Sequence, residues 1–577
     1  MIRGHEVSFF NLLSSIEGQL VVPIYQRGYT WKDDDRKYFF GHIEKLHEHE
    51  VIRNHYCHAI LTKEYHVKDG FEFKQTAIID GQQRITTASL FYAALCAYCK
   101  HNKIDFDWRN KIYYKVLVNM GEKGGNKYKL KLKEEDKDTY ELIIDDLPVN
   151  LSTNGRSKNI IKTYLYFLKQ FNLYNWEQLF DNFKKFTIGN DIAEDKDSAE
   201  LLFETVNFGG SKLEQYHLIR SYTLLNMDTD AQEKYYYKYW TPIFKTFNND
   251  DKKMDSFVNS FCAYKMNNVE VNKKGLEFIR FYERTNHDKL ELLNDLEDYF
   301  NKYIMIYNKD PGIEEVDKSL DVILSMKTPF AYPMIIRLYD YYIQNHMSVD
   351  EFIKVIRLLE VLMVRNKICN PGNFAITFRR IYKKIKINKN NVYDSIYNAF
   401  SQTKYFYDDD TFKRDLITSN FYKDYSPDSF RFKFLEYLEN SYYPNGYVSL
   451  KSKYSIEHIL PQNIEDTEWM QSLGDNAIEI AKINCNKLGN LTLTAYNSNL
   501  SNKSFEEKLN NEKGYKNDRL QLNNSVICYE EWNEFTIRER GEELANRAVK
   551  MWSYPTTLQG KEDVNSNSQS VLMVDGK

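Results

Sequence analysis

The stretch Ile78–Thr87 combines a strand-like start with polar groups that suit phosphate chemistry. Apolar residues run into Asp80-Gly81, and an apolar-periodic segment follows, which predicts a strand, a sharp turn and a helix. Gly81 lacks a Cβ and permits a tight turn, while the first amides of the helix and Arg84 offer donors for phosphate oxygens. Asp80 could also hold a divalent cation. The alternative is a plain turn in which Asp80 caps the helix.

A second stretch with binding potential is Val21–Trp31, in which a strand leads into Tyr25, Gln26 and Arg27. An arginine between aromatic residues suits contact with a phosphate or a base. The aromatic residues could equally serve only to anchor a loop. Pro23 favours an edge position for the strand, because proline cannot donate to a sheet ladder.

A glycine pair interrupts a helical pattern within Leu201–Lys212. The sequence predicts a helix that ends at this pair and a following helix that contains Arg220. A ligand-facing loop would present Asn207 and Arg220, whereas a plain helical hairpin would need neither. The chain has no Walker A sequence, so any nucleotide would bind without a P-loop.

Another chemical centre lies near the end of the chain, where Glu457 and His458 stand between apolar residues. Downstream, a predicted turn and strand contain Asn490, and Asn499 precedes a predicted helix. Phosphodiester hydrolysis needs a base for water, and the ordinary histidine pKa of ~6.5 suits His458. Carboxylate and amide oxygens bind Mg²⁺ or Mn²⁺, so Glu457 and Asn499 are candidate metal ligands, with Asn490 bracing the histidine loop. The alternative is a histidine with a structural role.

The composition is that of a folded protein with a hydrophobic core. Of the 577 residues, 42% are hydrophobic and 28% are charged, which excludes a disordered chain. The net charge of -4 argues against a uniformly basic coat for nucleic acid, although 78 lysine and arginine residues are available for a local groove. The seven cysteines show no disulfide pattern, and no apolar run is long enough to span a bilayer. These features predict a cytoplasmic protein that does not enter a membrane.

The order of helical and strand patterns divides the chain into four parts. Strand and helix signals alternate through residues 1–157, which predicts a small α/β domain. Residues 158–440 are almost wholly helical in pattern, with 158–230 completing the N-terminal module. The second chemical centre lies in 441–560, and the polar residues 561–577 are expected to form a disordered tail. The predicted fold class is therefore α+β and predominantly helical.

Two groups of motifs resemble known families. Three segments of this chain resemble the DGQQR-motif domain, which is related to ParB and sulfiredoxin folds. They are Asp80–Arg84, Pro23–Trp31 and Phe203–Arg220. Further segments resemble an HNH, or ββα-metal, nuclease domain: His458–Pro461, Gly489–Leu491 and Asn499. A chain that carries both domains is similar to the GmrSD class of type IV, modification-dependent restriction enzymes.

The resemblance implies a role for each matching residue. In the N-terminal domain it implies nucleotide hydrolysis, with Asp80 and Arg84 as catalytic groups and a metal at Asp80. The implied nucleotide-binding residues are Tyr25, Gln26, Arg27, Gly81, Gln82, Gln83, Arg84, Thr87 and Asn207. In the nuclease domain, the implied catalytic residues are His458 and Asn490, and the implied metal ligands are Glu457 and Asn499.

Two positions depart from the pattern of the resembled family. His217 stands where the family usually has an aspartate, and Ala59 lies where a glycine is common. These departures bear on the efficiency of nucleotide turnover and not on the expected fold.

The resemblance predicts an anti-phage endonuclease that senses modified double-stranded DNA, such as glucosylated or hydroxymethylated cytosine or a phosphorothioate. The expected cofactors are Mg²⁺ or Mn²⁺ and an NTP (GTP, ATP, CTP or UTP), and the helical middle would relay the nucleotide state to the nuclease. Two alternatives are a nucleotide-switched DNA-binding regulator and an abortive-infection toxin nuclease. The choice between nicking and double-strand cleavage, and the formation of a homodimer, are left open.

Overall fold

The structure, a computed structural model, describes most of the chain. The described residues are 3–48, 55–64, 73–104, 106–149, 157–193, 214–267, 274–285, 288–388, 390–443, 449–450 and 453–556. The chain divides into two compact units, Met1–Asn259 with Lys273–Glu297 and Ser260–Asn272 with Asp298–Lys577. Asn207 and the predicted tail 561–577 lie outside the described residues.

The first unit contains a six-stranded mixed sheet. In spatial order its strands are β1 (Arg3–Ser8), β6 (Phe186–Ile192), β3 (His55–Glu64), β4 (Gln75–Asp80), β2 (Gln19–Val21) and β5 (Leu130–Lys131). β6 is antiparallel to β1 and parallel to β3, and β3 is antiparallel to β4. β2 is parallel to both β4 and β5. The carboxyl ends of β4, β2 and β5 therefore lie at one edge of the sheet, where α/β proteins commonly bind ligands.

A central helix, α3 (Gln82–His101), packs in an aromatic core. It is buried around nearly its whole circumference because apolar and small residues occur on all its faces. The ring of Phe91 on α3 lies 4.2 Å from that of Phe183, and this contact joins helices distant in sequence. The other helices up to residue 308 are α1 (Phe9–Ser15), α2 (Asp33–Glu48), α4 (Phe106–Ile112), α5 (Glu134–Ile144), α6 (Lys158–Leu173), α7 (Trp176–Lys184), α8 (Gln215–Leu224), α9 (Thr229–Tyr235), α10 (Thr241–Thr246), α11 (Asp251–Lys265), α12 (Lys274–Thr285) and α13 (Lys289–Asn308).

Two details of the sheet differ from the sequence-based expectation. β6 interrupts residues 158–440, whose pattern predicts helices almost throughout, because its partners β1 and β3 are far away in the chain. Pro23 does not mark an edge strand. β2 ends at Val21, so the proline follows the ladder, and β2 has a hydrogen-bonded partner on each side.

The second unit is helical apart from a two-stranded antiparallel sheet in its described part. In that sheet β7 (Ser455–His458) pairs with β8 (Leu491–Thr494). The helix α27 (Glu534–Met551) approaches so closely that a Cβ at Gly489 would lie 1.9 Å from the Ile537 carbonyl oxygen, so only glycine fits there. The remaining helices are α14 (Glu314–Ser325), α15 (Tyr332–Ile343), α16 (Val349–Cys369), α17 (Phe374–Lys384), α18 (Val392–Ser401), α19 (Asp409–Thr418), α20 (Phe421–Asp424), α21 (Asp428–Asn440), α22 (Trp469–Leu473), α23 (Ala477–Asn484), α24 (Asn497–Leu500), α25 (Phe505–Asn510) and α26 (Gln521–Asn524).

The predicted fold class, α+β and predominantly helical, is confirmed. The strand, turn and helix predicted at Ile78–Thr87 are confirmed as well, since β4 ends at Asp80 and α3 begins at Gln82. Among the described helices, none combines the length and the apolar character that crossing a bilayer requires.

Candidate functional site

The turn between β4 and α3 depends on Gly81. This residue has a φ of 92°, in the left-handed region that favours glycine. A Cβ at Gly81 would also lie 2.4 Å from Ile60 Cγ2 on the neighbouring strand β3. The turn therefore places Asp80 and the first amides of α3 together at the carboxyl edge of the sheet.

Asp80 and Arg84 form an ion pair across the first turn of α3. Arg84 Nη2 donates to Asp80 Oδ2 at 3.3 Å and to the Ala59 carbonyl oxygen at 2.7 Å. The Asp80 side chain is 33% exposed, so the turn is open to solvent. Burial raises the pKa of Asp80, and the charges of Arg84 and Arg27 oppose that shift. The turn can therefore present a carboxylate and cationic groups to a ligand that carries phosphates.

Gln83 and Thr87 on α3 hold the segment 26–30 in place. The Gln83 side chain donates to the Gly28 carbonyl oxygen and accepts from the Thr30 amide, both at 2.9 Å. Thr87 Oγ1 lies 2.7 Å from the hydroxyl of Tyr29. These contacts, of which that of Thr87 is buried and those of Gln83 are partly buried, hold the segment that carries Arg27.

Tyr25, Gln26 and Gln82 lie next to this segment. Gln26 Nε2 donates to the Ile79 carbonyl oxygen at 2.8 Å, and Gln82 Nε2 lies 3.4 Å from Gln26 Oε1. Tyr25 and Gln82 are buried. The structure thus gives these side chains supporting positions, and direct nucleotide contact by them stays a prediction.

Basic groups cluster near Arg27. Arg220 on α8 is buried, and its Nη2 lies 2.8 Å from Nδ1 of His217. The pKa of His217 is lowered to about 2, chiefly by burial and then by the charges of Arg220, Arg27 and Lys133. His217 is therefore neutral and does not balance the charge of Arg220. Sequence reasoning missed Lys133, which has no motif around it, and Asn207 lies outside the described residues.

Asn490 clamps the loop that follows β7. Its side chain accepts from the Leu460 amide and donates to the Leu460 carbonyl oxygen, both at 2.8 Å. It also donates to the Cys485 carbonyl oxygen at 2.8 Å and accepts from Trp532 Nε1 at 2.9 Å. All four hydrogen bonds are buried, so the backbone just after His458 is held in one conformation.

His458, the last residue of β7, is partly enclosed. The centroids of the Tyr422 and His458 rings lie 4.5 Å apart. His458 Nε2 is buried and has no hydrogen-bond partner within the described part of the chain. The pKa of His458 is lowered to about 4, chiefly by burial, and the charges of Lys508 and Arg431 contribute to this shift. At neutral pH the imidazole is therefore uncharged and able to accept a proton.

Glu457 lies on the opposite face of β7 from His458, because successive strand residues alternate. Lys508 Nζ donates to Glu457 Oε1 at 2.6 Å and to the His458 carbonyl oxygen at 2.8 Å. The hydroxyl of Tyr515 donates to the same carboxylate oxygen at 3.3 Å. In this arrangement Glu457 neutralises a buried lysine and does not form a cation site with His458.

Asn499 lies on the short helix α24, which packs beside β7. Asn497 anchors α24 by donating from its side chain to the Ile456 carbonyl oxygen at 2.7 Å. Asn499 is exposed, whereas Glu457 is buried. Across the described ranges, no three His, Cys, Asp or Glu side chains come together in a way that suits a metal ion.

Two family models match the chain in the regions that contain these sites. Residues 9–224 match the N-terminal domain of GmrSD restriction endonucleases, and residues 406–547 match their C-terminal domain. The chain belongs to the GmrSD restriction endonuclease family. The first GmrSD domain contains the Asp80 turn, and the second contains His458 and Asn490, so each candidate site lies inside a family-defining domain. No curated protein matches the chain.

Proposed function

We propose that this GmrSD chain is a type IV restriction endonuclease that cuts modified double-stranded DNA by HNH chemistry, with His458 as the general base. The observation that supports this proposal is the four-bond clamp of Asn490, which fixes the backbone beside His458. A general base must be held in a defined position relative to the bond that it helps to break.

The proposed reaction is the attack of water on a DNA phosphate. The neutral imidazole of His458 takes a proton from water as the new P–O bond forms, and the P–O bond to one sugar oxygen breaks. The leaving oxygen then takes a proton from solvent. Burial of His458 keeps the imidazole uncharged at neutral pH, and the same lowering of its pKa makes it a weaker base than an exposed histidine.

The proposed second activity is the binding and hydrolysis of an NTP at the Asp80 turn. Arg27 and Arg84 would contact phosphate oxygens, and the amides at the start of α3 would add neutral donors. Asp80 is open to solvent and could hold a cation that bridges the phosphates. The nucleotide would regulate cleavage if the protein has two conformations that bind DNA or nucleotide with different affinities.

A divalent cation is part of the proposal for the nuclease, although the described residues around His458 do not fit a cation site in this arrangement. Mg²⁺ or Mn²⁺, when bound, would polarise the scissile phosphate. Asn499 is the exposed candidate ligand, and the Glu457 carboxylate is held by Lys508. The steps above therefore use only groups of the chain itself.

The experiment is a cleavage assay on matched DNA that differs only in its modification. Purified wild-type protein and His458→Ala are incubated with glucosylated, hydroxymethylated, phosphorothioate and plain DNA, with Mg²⁺ or Mn²⁺ or a chelator, and with each NTP. We expect the wild type to cut at least one modified DNA, and we expect this cleavage to stop when the metal is chelated. Equal cleavage by His458→Ala would exclude His458 as the base.

A further inference from the structure

A cavity of about 720 Å³ lies in the first unit, and the side chains of the Asp80 turn are not part of its lining. Residues 21–24 after β2 and residues 131–137 at the end of β5 and the start of α5 form one side, and side chains between 232 and 249 form the other. This volume is within the range of small-molecule sites. The side chains that matter below are Lys133, Tyr236, Tyr237, Phe244 and Asn248.

The position of the cavity links it to the Asp80 turn. Asp80 ends β4, and the cavity adjoins the ends of the next two parallel strands, β2 and β5. Lys131, at the end of β5, is level with Ala77, three residues before Asp80. Two strand spacings of about 4.8 Å and three residue rises of about 3.3 Å therefore separate the ends of β5 and β4 by roughly 14 Å. The charge of Arg27 lowers the pKa of both Asp80 and His217, and Lys133 at the cavity also acts on His217. Cationic groups therefore extend from the turn to the cavity.

One wall of the cavity is aromatic. Tyr236 and Tyr237 begin a π-helical turn, Tyr236–Trp240, a rare conformation that is frequent at functional sites. The rings of Tyr236 and Phe244 lie 6.1 Å apart, and Tyr237 is 52% exposed. Lys133 Nζ lies 5.8 Å from the Tyr236 ring centre and Arg220 lies 5.1 Å from that of Phe244, so Tyr237 is the exposed ring of this wall. An exposed aromatic ring in a cavity suits the stacking of a flat, uncharged ring.

The polar lining favours a base over a phosphate in the cavity. Both lysine and glutamate side chains line the cavity, so its charge is nearly balanced: Lys131, Lys133, Lys137 and Lys245 against Glu134, Glu135 and Glu233. Phosphate groups are better served by Arg27 and Arg84 at the turn. At the rim, the exposed Asn248 offers an amide, the group that pairs with the edges of bases.

We propose that the aromatic cavity binds the nucleobase of a nucleoside triphosphate whose phosphates lie over the Asp80 turn. This inference rests on the proposed nucleotide site, and it adds the residues that would contact the base. Tyr237 is the stacking residue best suited to a test, since its ring is half-exposed and its loss leaves the core intact.

The test compares nucleoside triphosphates with inorganic triphosphate, which has the phosphates but no base. Dissociation constants are measured by calorimetry for the full chain, with Tyr237→Ala as the test variant. Tyr38→Ala, which removes a 71% exposed tyrosine of the same unit outside the cavity lining, is the matched control. We expect Tyr237→Ala to weaken binding of the preferred NTP by at least about fivefold, because stacking on an aromatic ring is lost. Binding of inorganic triphosphate should change by less than about twofold in both variants.

The outcomes separate this inference from the proposed function. Suppose that Arg84→Ala weakens the binding of both NTP and inorganic triphosphate, and that neither Tyr237→Ala nor Tyr236→Ala changes NTP affinity. The proposed nucleotide site then stands, and the proposed base pocket is wrong. If the wild type binds neither ligand, the proposed nucleotide site fails and the inference fails with it. If Tyr237→Ala weakens the binding of modified DNA and leaves NTP binding unchanged, the cavity binds DNA and the inference is overturned.

Discussion

The ring centroids of Tyr422 and His458 lie 4.5 Å apart, and the two ring planes meet at 73°. Tyr422 is itself fixed, because its amide donates to the Asn486 carbonyl oxygen at 3.1 Å and Arg431 lies 4.2 Å from its ring centre. This edge-to-face contact packs the tyrosine ring against an imidazole whose Nε2 is buried. We therefore expect the Tyr422 ring to limit the access of solvent to the imidazole of His458.

Removal of the Tyr422 ring should expose His458 to reagents in solution. We expect Tyr422→Ala to raise the rate at which diethyl pyrocarbonate modifies His458 several-fold, as followed by mass spectrometry of the peptide that contains it. Tyr422→Phe keeps the ring and should retain the protection. A rate in Tyr422→Ala equal to that of the wild type would show that the ring does not shield the imidazole.

The Asn490 clamp should contribute to stability as well as to geometry. Asn490→Asp replaces the amide donor by an acceptor that faces the carbonyl oxygens of Leu460 and Cys485. We expect a loss of about 2–4 kcal/mol in the free energy of unfolding, measured with urea, because two buried acceptors lose their donor. Asn499→Asp, the same change at an exposed asparagine, should stay within about 0.5 kcal/mol. Equal losses in the two variants would contradict the clamp.

Lys508 and Glu457 should behave as a coupled pair. Both are buried, and Lys508→Met alone leaves an uncompensated carboxylate, which costs about 3–5 kcal/mol. The double variant Lys508→Met with Glu457→Gln removes both charges and should recover a large part of that loss. Urea unfolding of the two single variants and the double variant gives the coupling energy. Strictly additive losses would mean that the two charges do not depend on each other.

Nucleotide affinity should depend on pH through Lys133. The pKa of Lys133 is lowered to about 8, chiefly by burial and also by the charge of Arg220. As the pH rises through 8 the free protein loses this positive charge, so its attraction for a nucleotide falls. Between pH 7 and pH 9.5 we expect NTP binding to weaken by no more than about thirtyfold, the limit when only the protonated form binds. Calorimetry on Lys133→Met should show no such fall, and an equal fall would assign the pH dependence to another group.

Local sequence patterns predict the strand, turn and helix at Asp80, because each part has its own signal: β-branched residues, a glycine and an apolar period. The same holds for the turn and strand around Asn490. The sequence therefore predicts which elements contain Asp80 and Asn490, while the roles of these residues stay a prediction.

Non-local contacts explain what the sequence does not show. β6 looks helical in context, and only its distant partners β1 and β3 make it a strand. Lys508 and Tyr422 lie 50 and 36 positions from His458 and carry no motif, so their approach to it appears only in three dimensions. Lys133 reaches the basic cluster in the same way.

The central claim is that one chain carries two separable phosphate-handling centres. The most direct measurement compares NTP hydrolysis and cleavage of modified DNA in Asp80→Asn, Arg84→Ala and His458→Ala. We predict that His458→Ala loses cleavage and keeps NTP hydrolysis, and that Asp80→Asn and Arg84→Ala lose NTP hydrolysis while their His458 site stays folded. NTP hydrolysis that persists in Asp80→Asn and Arg84→Ala, or cleavage that persists in His458→Ala, would contradict the claim.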